Sequence, residues 1–243
     1  MIGHRLVELC VSALLGTAFL AFPSVVYSER KLPMQETRIA FREYGRCVVQ
    51  RHEEKAKNAL RMDLSGHQIY ATSRELVDPD CAARVGASMI TFPGDSLLDP
   101  IAAALIERYF LSKPIPDIAN VPPLLHRAVW PIGEKIESDT KLSEIDKAKR
   151  HDFDAIRYWL SQFGECVVRA SPQLANNLLK SKEESAAETA AFSELNVAMS
   201  SCITRGGSVN FGKSDLRGSI ARNFFRLIDT ANTRINATTK VTH

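Results

Sequence analysis

No two cysteines of this 243-residue chain stand at the close spacing of a structural zinc site, and no run of lysine and arginine gathers anywhere along it. The first absence argues against a metal-held fold. The second leaves no basic patch for nucleic acid or an anionic membrane surface. With 31 basic and 28 acidic side chains the net charge is only +3, and the two signs are mixed along the sequence. Hydrophobic residues at 45% and charged residues at 24% are ordinary globular values, which excludes wholesale disorder. No motif implies a cofactor.

The N-terminus is of another kind. Met1 to Glu8 carries Arg5, Leu9 to Phe22 is an uncharged apolar run, and Pro23 breaks it. Val26-Tyr27-Ser28 then presents small or aliphatic residues where a signal peptidase reads. This layout predicts a secretory signal peptide over residues 1–28, cut after Ser28. The alternative is an uncleaved anchor from Leu9 to Tyr27, although the apolar run falls short of the roughly 20 residues that a span needs. Cys10 precedes the apolar run and follows Glu8-Leu9, which does not suit lipidation. Cleavage removes Arg5 and Glu8 together, so the net charge stays at +3, and it removes Cys10.

The remaining chain carries a duplication. Tyr44-Gly45-Arg46-Cys47-Val48-Val49 returns as Phe163-Gly164-Glu165-Cys166-Val167-Val168, and Ala56 and Leu60 return as Ala175 and Leu179. Cys81 and Cys202 follow at nearly the same distance from the first cysteine of each copy. Each copy closes on an apolar helix, with Ile101, Leu105, Ile106, Tyr109 and Phe110 set against Leu216, Ile220, Ala221, Phe224 and Phe225. Four cysteines allow three pairings. The duplication selects Cys47–Cys81 and Cys166–Cys202, one bond within each copy, in an oxidising compartment. Each bond would stabilise its unit by roughly 3–4 kcal/mol in the chain-entropy account.

The apolar periodicity is helical. Ile156, Trp159, Leu160, Phe163 and Val167 share one face, Pro172 opens the next helix, and Ser185-Ala186-Ala187-Glu188 is a capping-box arrangement. Phe192, Leu195, Met199 and Cys202 form a stripe that Gly206-Gly207 ends, and Leu216–Ile228 is the last helix. Asp99-Pro100 starts the equivalent helix of the first copy. The expected fold is all-α: two tandem disulfide-closed units of about four short helices, over residues 29–112 and 152–229. A Pro-rich connector, residues 113–151, joins them, and Leu124, Leu125, Val129 and Trp130 suggest that it packs on the units. Residues 230–243 read as a disordered tail containing the sequon Asn236-Ala237-Thr238.

Several motifs tempt. Gly207 to Ser214 matches the phosphate-binding P-loop, with Lys213 and Ser214 in the expected places, but that loop needs a strand before it and more strands after it. Gly94-Asp95-Ser96-Leu97 resembles the nucleophile block of GDSL-type esterases. Those enzymes activate the serine with a late Asp-x-x-His block, which is missing around His52, His67, His126, His151 and His243. Both matches fall between the second cysteine and the final helix of a copy, and neither recurs in the other, which is how a drifting surface loop behaves. His151-Asp152-x-Asp154 reads as a helix cap in preference to a metal site. Arg217, Arg222 and Arg226 could contact an anionic partner, with a solvated face as the blander reading. The aromatics Tyr44, Phe163, Tyr109 and Phe224 read as core.

The pattern aromatic-Gly-x-Cys-Val-Val, a second cysteine, and a helix opening Leu216-Arg217-Gly218-Ser219-Ile220-Ala221 resembles that of exported bacterial proteins in which the unit often occurs twice. The resemblance covers most of residues 40–228. In the first copy Ile101-Ala102-Ala103-Ala104 replaces the Leu-Arg-Gly opening. The family carries no known activity, so the resemblance implies a compartment and a repeat.

The expected function is therefore a binding or scaffolding module, without enzymatic activity, in the periplasm or outside the cell, its partner a protein or envelope component. Two alternatives stand beside it: a serine hydrolase using Ser96, and a membrane-tethered envelope protein that keeps residues 9–27.

Overall fold

Helices account for the regular structure, and their boundaries fall where side chains satisfy the orphan backbone groups of helix ends. The computed structural model describes residues 34–86, 94–126, 143–203 and 211–241. α1 spans Met34–Arg61 and is interrupted at His52, whose φ and ψ are not helical. Ser65 and Gln68 form a reciprocal capping box for α2, Gly66–Thr72. Asp78 caps α3, Pro79–Arg84, by accepting from the amides of Asp80 and Cys81. α4 is Leu98–Tyr109. Among the described residues the second half also has four α-helices: α5 Glu144–Ala170, α6 Pro172–Lys180, α7 Ala186–Ser201 and α8 Lys213–Val241. Pro172 occupies the first turn of α6, as expected.

The two disulfides are Cys47–Cys81, tying α1 to α3, and Cys166–Cys202, tying α5 to the end of α7. The all-α fold of two disulfide-closed helical units is thus as read from the sequence, and no strand occurs among the described residues. Two details differ. α5 begins at Glu144, capped by Ser143, so Asp152 sits inside a helix and does not cap one. α8 runs on to Val241 with Ala231 buried, so residues 230–241 continue the helix where a disordered tail was expected. The apolar contacts of the α8 stem carry it past Ile228.

From Leu32 onward the chain forms one compact unit with one hydrophobic core. α4 crosses α1, α8 crosses α5, and α4 and α8 pack on each other between them. α8 is buried all round from Arg217 to Ile228, the behaviour of a helix at the centre of a bundle. The two outer crossings both pass over a glycine. A Cβ on Gly45 would stand 2.2 Å from the Pro100 carbonyl oxygen, and one on Gly164 would stand 2.2 Å from Ser219 Oγ. Only a residue without a side chain lets these helices approach so closely.

Those contacts also set the register of the last helix. Pro100 meets Gly45 and Ser219 meets Gly164, which aligns Ile101-Ala102 with Ile220-Ala221 and Leu105-Ile106 with Phe224-Phe225. Burial agrees: Leu105, Ile106, Phe224 and Phe225 are all sealed, while Tyr109 and Phe110 are only partly buried. The expectation that Tyr109 is core is therefore corrected. It lies at the rim, where Lys57 Nζ sits 4.8 Å from its ring centroid.

Candidate functional site

Arg217, Arg222 and Arg226 are buried, none more than 6% exposed, so the reading of a solvated face does not hold. Each meets anions or carbonyls of its own chain. Arg217 projects from the second turn of α8 onto the end of α6. Its Nη1 donates to Leu178 O (2.8 Å), Ser181 Oγ (3.2 Å) and Glu188 Oε1 (3.1 Å), and its Nη2 to Leu179 O (3.2 Å) and Ser181 O (2.9 Å). It thereby satisfies carbonyls that a helix C-terminus leaves orphaned. Burial pushes its guanidinium below the ordinary arginine value, against the pull of Glu183 and Glu188.

Glu188 is the hub of this cluster. It also accepts from Arg38 Nη2 of α1 at 2.8 Å and from the Glu184 amide at 2.9 Å, and Arg38 pairs in addition with Glu184. Burial raises the Glu188 carboxyl, but Arg38, the Glu184 amide and Arg217 outweigh it and hold it below the ordinary value. Ser185 does cap α7, accepting from the Glu188 amide. The Glu188 side chain, expected to close the capping box, turns instead into the core because two guanidinium groups there need a counter-charge.

A second cluster lies where α8 meets the end of α1 and the start of α4. Arg222 Nε is 2.9 Å from Asp99 Oδ1, and Arg226 Nη1 is 3.6 Å from Asp63 Oδ2. Asp63, in a left-handed conformation just after α1, also faces Arg222 at 4.0 Å. Arg157 of α5 approaches Asp99 at 4.0 Å. Gly218 clears the same crossing: a Cβ there would be 2.4 Å from Asp99 Cγ. The Arg217-Gly218 pair thus has a packing role on both residues, one capping α6 and one admitting α4.

The third cluster pins the connector. Arg169 Nη1 donates to Ile118 O and Val121 O (both 3.1 Å), and its Nη2 donates to Pro122 O (2.9 Å). Arg226 Nη2 reaches Leu125 O at 2.5 Å, and Arg234 reaches Asn120 O at 2.6 Å. A segment outside any helix leaves most of its carbonyls without helix-ladder partners, and these arginines supply donors; Ile118 O accepts from the Val121 amide as well. Leu124 packs on the core and its amide donates to Glu165, whereas Leu125 is exposed; Val129 and Trp130 lie outside the described residues.

His126 completes this cluster with Ser161 and Glu165. Its Nδ1 is 2.9 Å from Ser161 Oγ and its Nε2 is 2.5 Å from Glu165 Oε2. The connectivity is that of a serine–histidine–acid relay. Its setting is that of a clamp. Ser161 is buried mid-helix, where neighbouring amides are committed to the helix ladder and cannot form an oxyanion hole. Burial would raise the Glu165 carboxyl, but His126, the Leu124 amide and Arg169 together hold it down at about 2. It is a carboxylate whose oxygens are taken by the connector and by Arg169 of its own helix.

The other sequence candidates are dispersed. Gly94–Leu97 forms a 3-10 turn leading into α4, with Leu97 buried. His52 is bonded to Asp78 at 2.9 Å, and His126 is engaged as described. Lys213 opens α8 with Nζ 3.4 Å from Thr189 Oγ1, and residues 207–210 of the P-loop match lie outside the described residues. No group of three His, Cys, Asp or Glu among the described residues could hold a metal ion. An open depression of about 380 Å³ lies between the connector and the α5–α6 junction, lined by Ile115, Pro116, Ile118, Arg169, Pro172 and Gln173.

Arg38, Asp63 and Glu165 were not singled out from the sequence, and Asp99 and His126 stood out there only as a helix start and as one of the histidines lacking an esterase block. One signal was present for Glu165: it stands where the first copy has Arg46, a charge reversal inside an otherwise matching motif. No family model, curated protein or solved structure matches this chain.

Proposed function

We propose that this chain is an exported helical repeat protein that acts as a binding or scaffolding module in the periplasm or cell envelope, related to the exported bacterial proteins its motifs resemble. The observation that carries this reading is the pair of disulfides, each closed within one sequence copy. Stable disulfides belong to oxidising, extracytoplasmic compartments. The apolar N-terminal run supplies the route of export, and no helix among the described residues is long and apolar enough to cross a membrane. The matching glycine crossings, Gly45 over Pro100 and Gly164 over Ser219, support the duplication. The ionic clusters support a packing role for the arginines over a charge-reading one, because they are buried and met by the chain's own carboxylates and carbonyls.

The test is expression with the native N-terminus, fractionation, and intact mass of the exported product. Loss of residues 1–28 with both disulfides closed is expected. A membrane-bound product retaining Met1 would replace this reading with the tethered one. A pull-down of the exported form then identifies the partner. Stoichiometric labelling of Ser96 by a fluorophosphonate would replace the binding reading with a hydrolase.

A further inference from the structure

The two disulfides differ in exposure. Cys47 and Cys81 are sealed, at 6% and 0%. Cys166 instead lies on an exposed face of α5, between the exposed residues Gln162 and Ala170, and Cys202 is half-buried at the end of α7 beside the exposed Ser201 and Ile203. Thiol–disulfide exchange requires an incoming thiolate to reach a sulfur, so access separates the two bonds by rate.

We propose that Cys166–Cys202 is a thiol-exchange site, open to a protein dithiol while the chain remains folded, and that Cys47–Cys81 is a closed structural bond. An incoming thiolate attacks Cys166 Sγ, the Cys166–Cys202 bond breaks, and Cys202 leaves as a thiolate that takes up a proton. Ser201 Oγ lies 4.0 Å from Cys202 Sγ but donates its proton to Ala198 O at 2.8 Å, so the leaving thiolate takes its proton from solvent. The second thiol of the reductant then attacks the mixed disulfide, closes its own disulfide and releases Cys166 as a thiol. Two electrons pass from the dithiol to this chain, and each cysteine ends with one proton.

The fold tolerates this opening because α7 has other anchors. Phe192, Leu195 and Ala198 stay buried, and Glu188 remains bonded to Arg38 and Arg217 at the opposite end of the helix. Reduction therefore frees the C-terminal end of α7 and leaves the bundle in place. This inference does not depend on the binding role proposed above.

The experiment uses the intact exported chain in native buffer, reduced with dithiothreitol, quenched with iodoacetamide at intervals and mapped by peptide mass. Cys166 and Cys202 should be alkylated at least about tenfold faster than Cys47 and Cys81, with helical circular dichroism retained, as access control of exchange requires. In guanidinium the difference should collapse. Equal native rates, prior opening of Cys47–Cys81, loss of helical signal with the first bond, or a difference that persists in guanidinium would each overturn the proposal.

Discussion

Arg38 Nη2 on α1 lies 2.8 Å from Glu188 Oε1 on α7, with the two side chains 8% and 1% exposed. The residues are 150 positions apart, one in each half of the chain. Through Glu188 the pair reaches Arg217, so three helices share one buried carboxylate.

Removing that carboxylate takes the shared counter-charge from two buried guanidinium groups, leaving Arg38 with Glu184 and Arg217 with Glu183 and its carbonyls. Glu188→Gln is expected to cost about 3 kcal/mol, the low end of the penalty for breaking a buried ion pair, because these partners remain. Urea unfolding measures it, and Glu183→Gln, whose carboxylate sits farther from Arg217 at 3.6 Å, should cost clearly less.

Acid should weaken the fold through Glu165. Its folded value of about 2 lies below the ordinary 4.5, so its contribution is fully present above the ordinary value and is lost as pH falls toward 2. The difference corresponds to roughly 3 kcal/mol. Stability curves measured from pH 6 to pH 2 should flatten in Glu165→Gln, with the connector residues 118–126 losing exchange protection first.

The glycine crossings should reject a methyl group. Gly45→Ala drives a Cβ into the Pro100 backbone and Gly164→Ala into Ser219, so each should lose about 2–3 kcal/mol by overpacking. Adding Ser219→Ala should return part of the Gly164→Ala loss, because the nearest clash is with the hydroxyl. Pairwise thermal melts decide it.

Phe225→Ala tests whether the halves stand alone. The rings of Phe110 and Phe225 are 5.9 Å apart across the α4–α8 contact, within one shared core. The substitution should cost about 3–5 kcal/mol and lower protection in both halves together. Hydrogen exchange read by mass spectrometry separates a joint loss from a local one. Phe110→Ala, at a partly buried ring, should cost less.

Much of the architecture was legible before any coordinates. Helix periodicity located α5 to α8 to within a few residues except at their outer ends, and Pro172 marked the first turn of α6 because a proline amide has no hydrogen to lose there. Glu188 shows where the reading stopped. Three residues after Ser185 a glutamate reads as a cap, since local rules see only the nearest orphan amide. The same holds for Arg217, Arg222 and Arg226, which are polar residues on a helix whose other face is apolar. Nothing local distinguishes water from Asp63 and Asp99 as their surroundings.

What the sequence alone determined is what depends on short range or on comparison of one segment with another: helical character, the duplicated cysteine pattern and hence the pairing of Cys47 with Cys81 and Cys166 with Cys202. The tertiary structure decided which charges are buried, the register of α4 against α8, and which disulfide faces solvent. Those depend on residues tens to more than a hundred positions apart meeting across a helix crossing, and the closeness of that crossing is set by steric contact at Gly45 and Gly164 and by the counter-charges that bundle packing brings to each buried arginine.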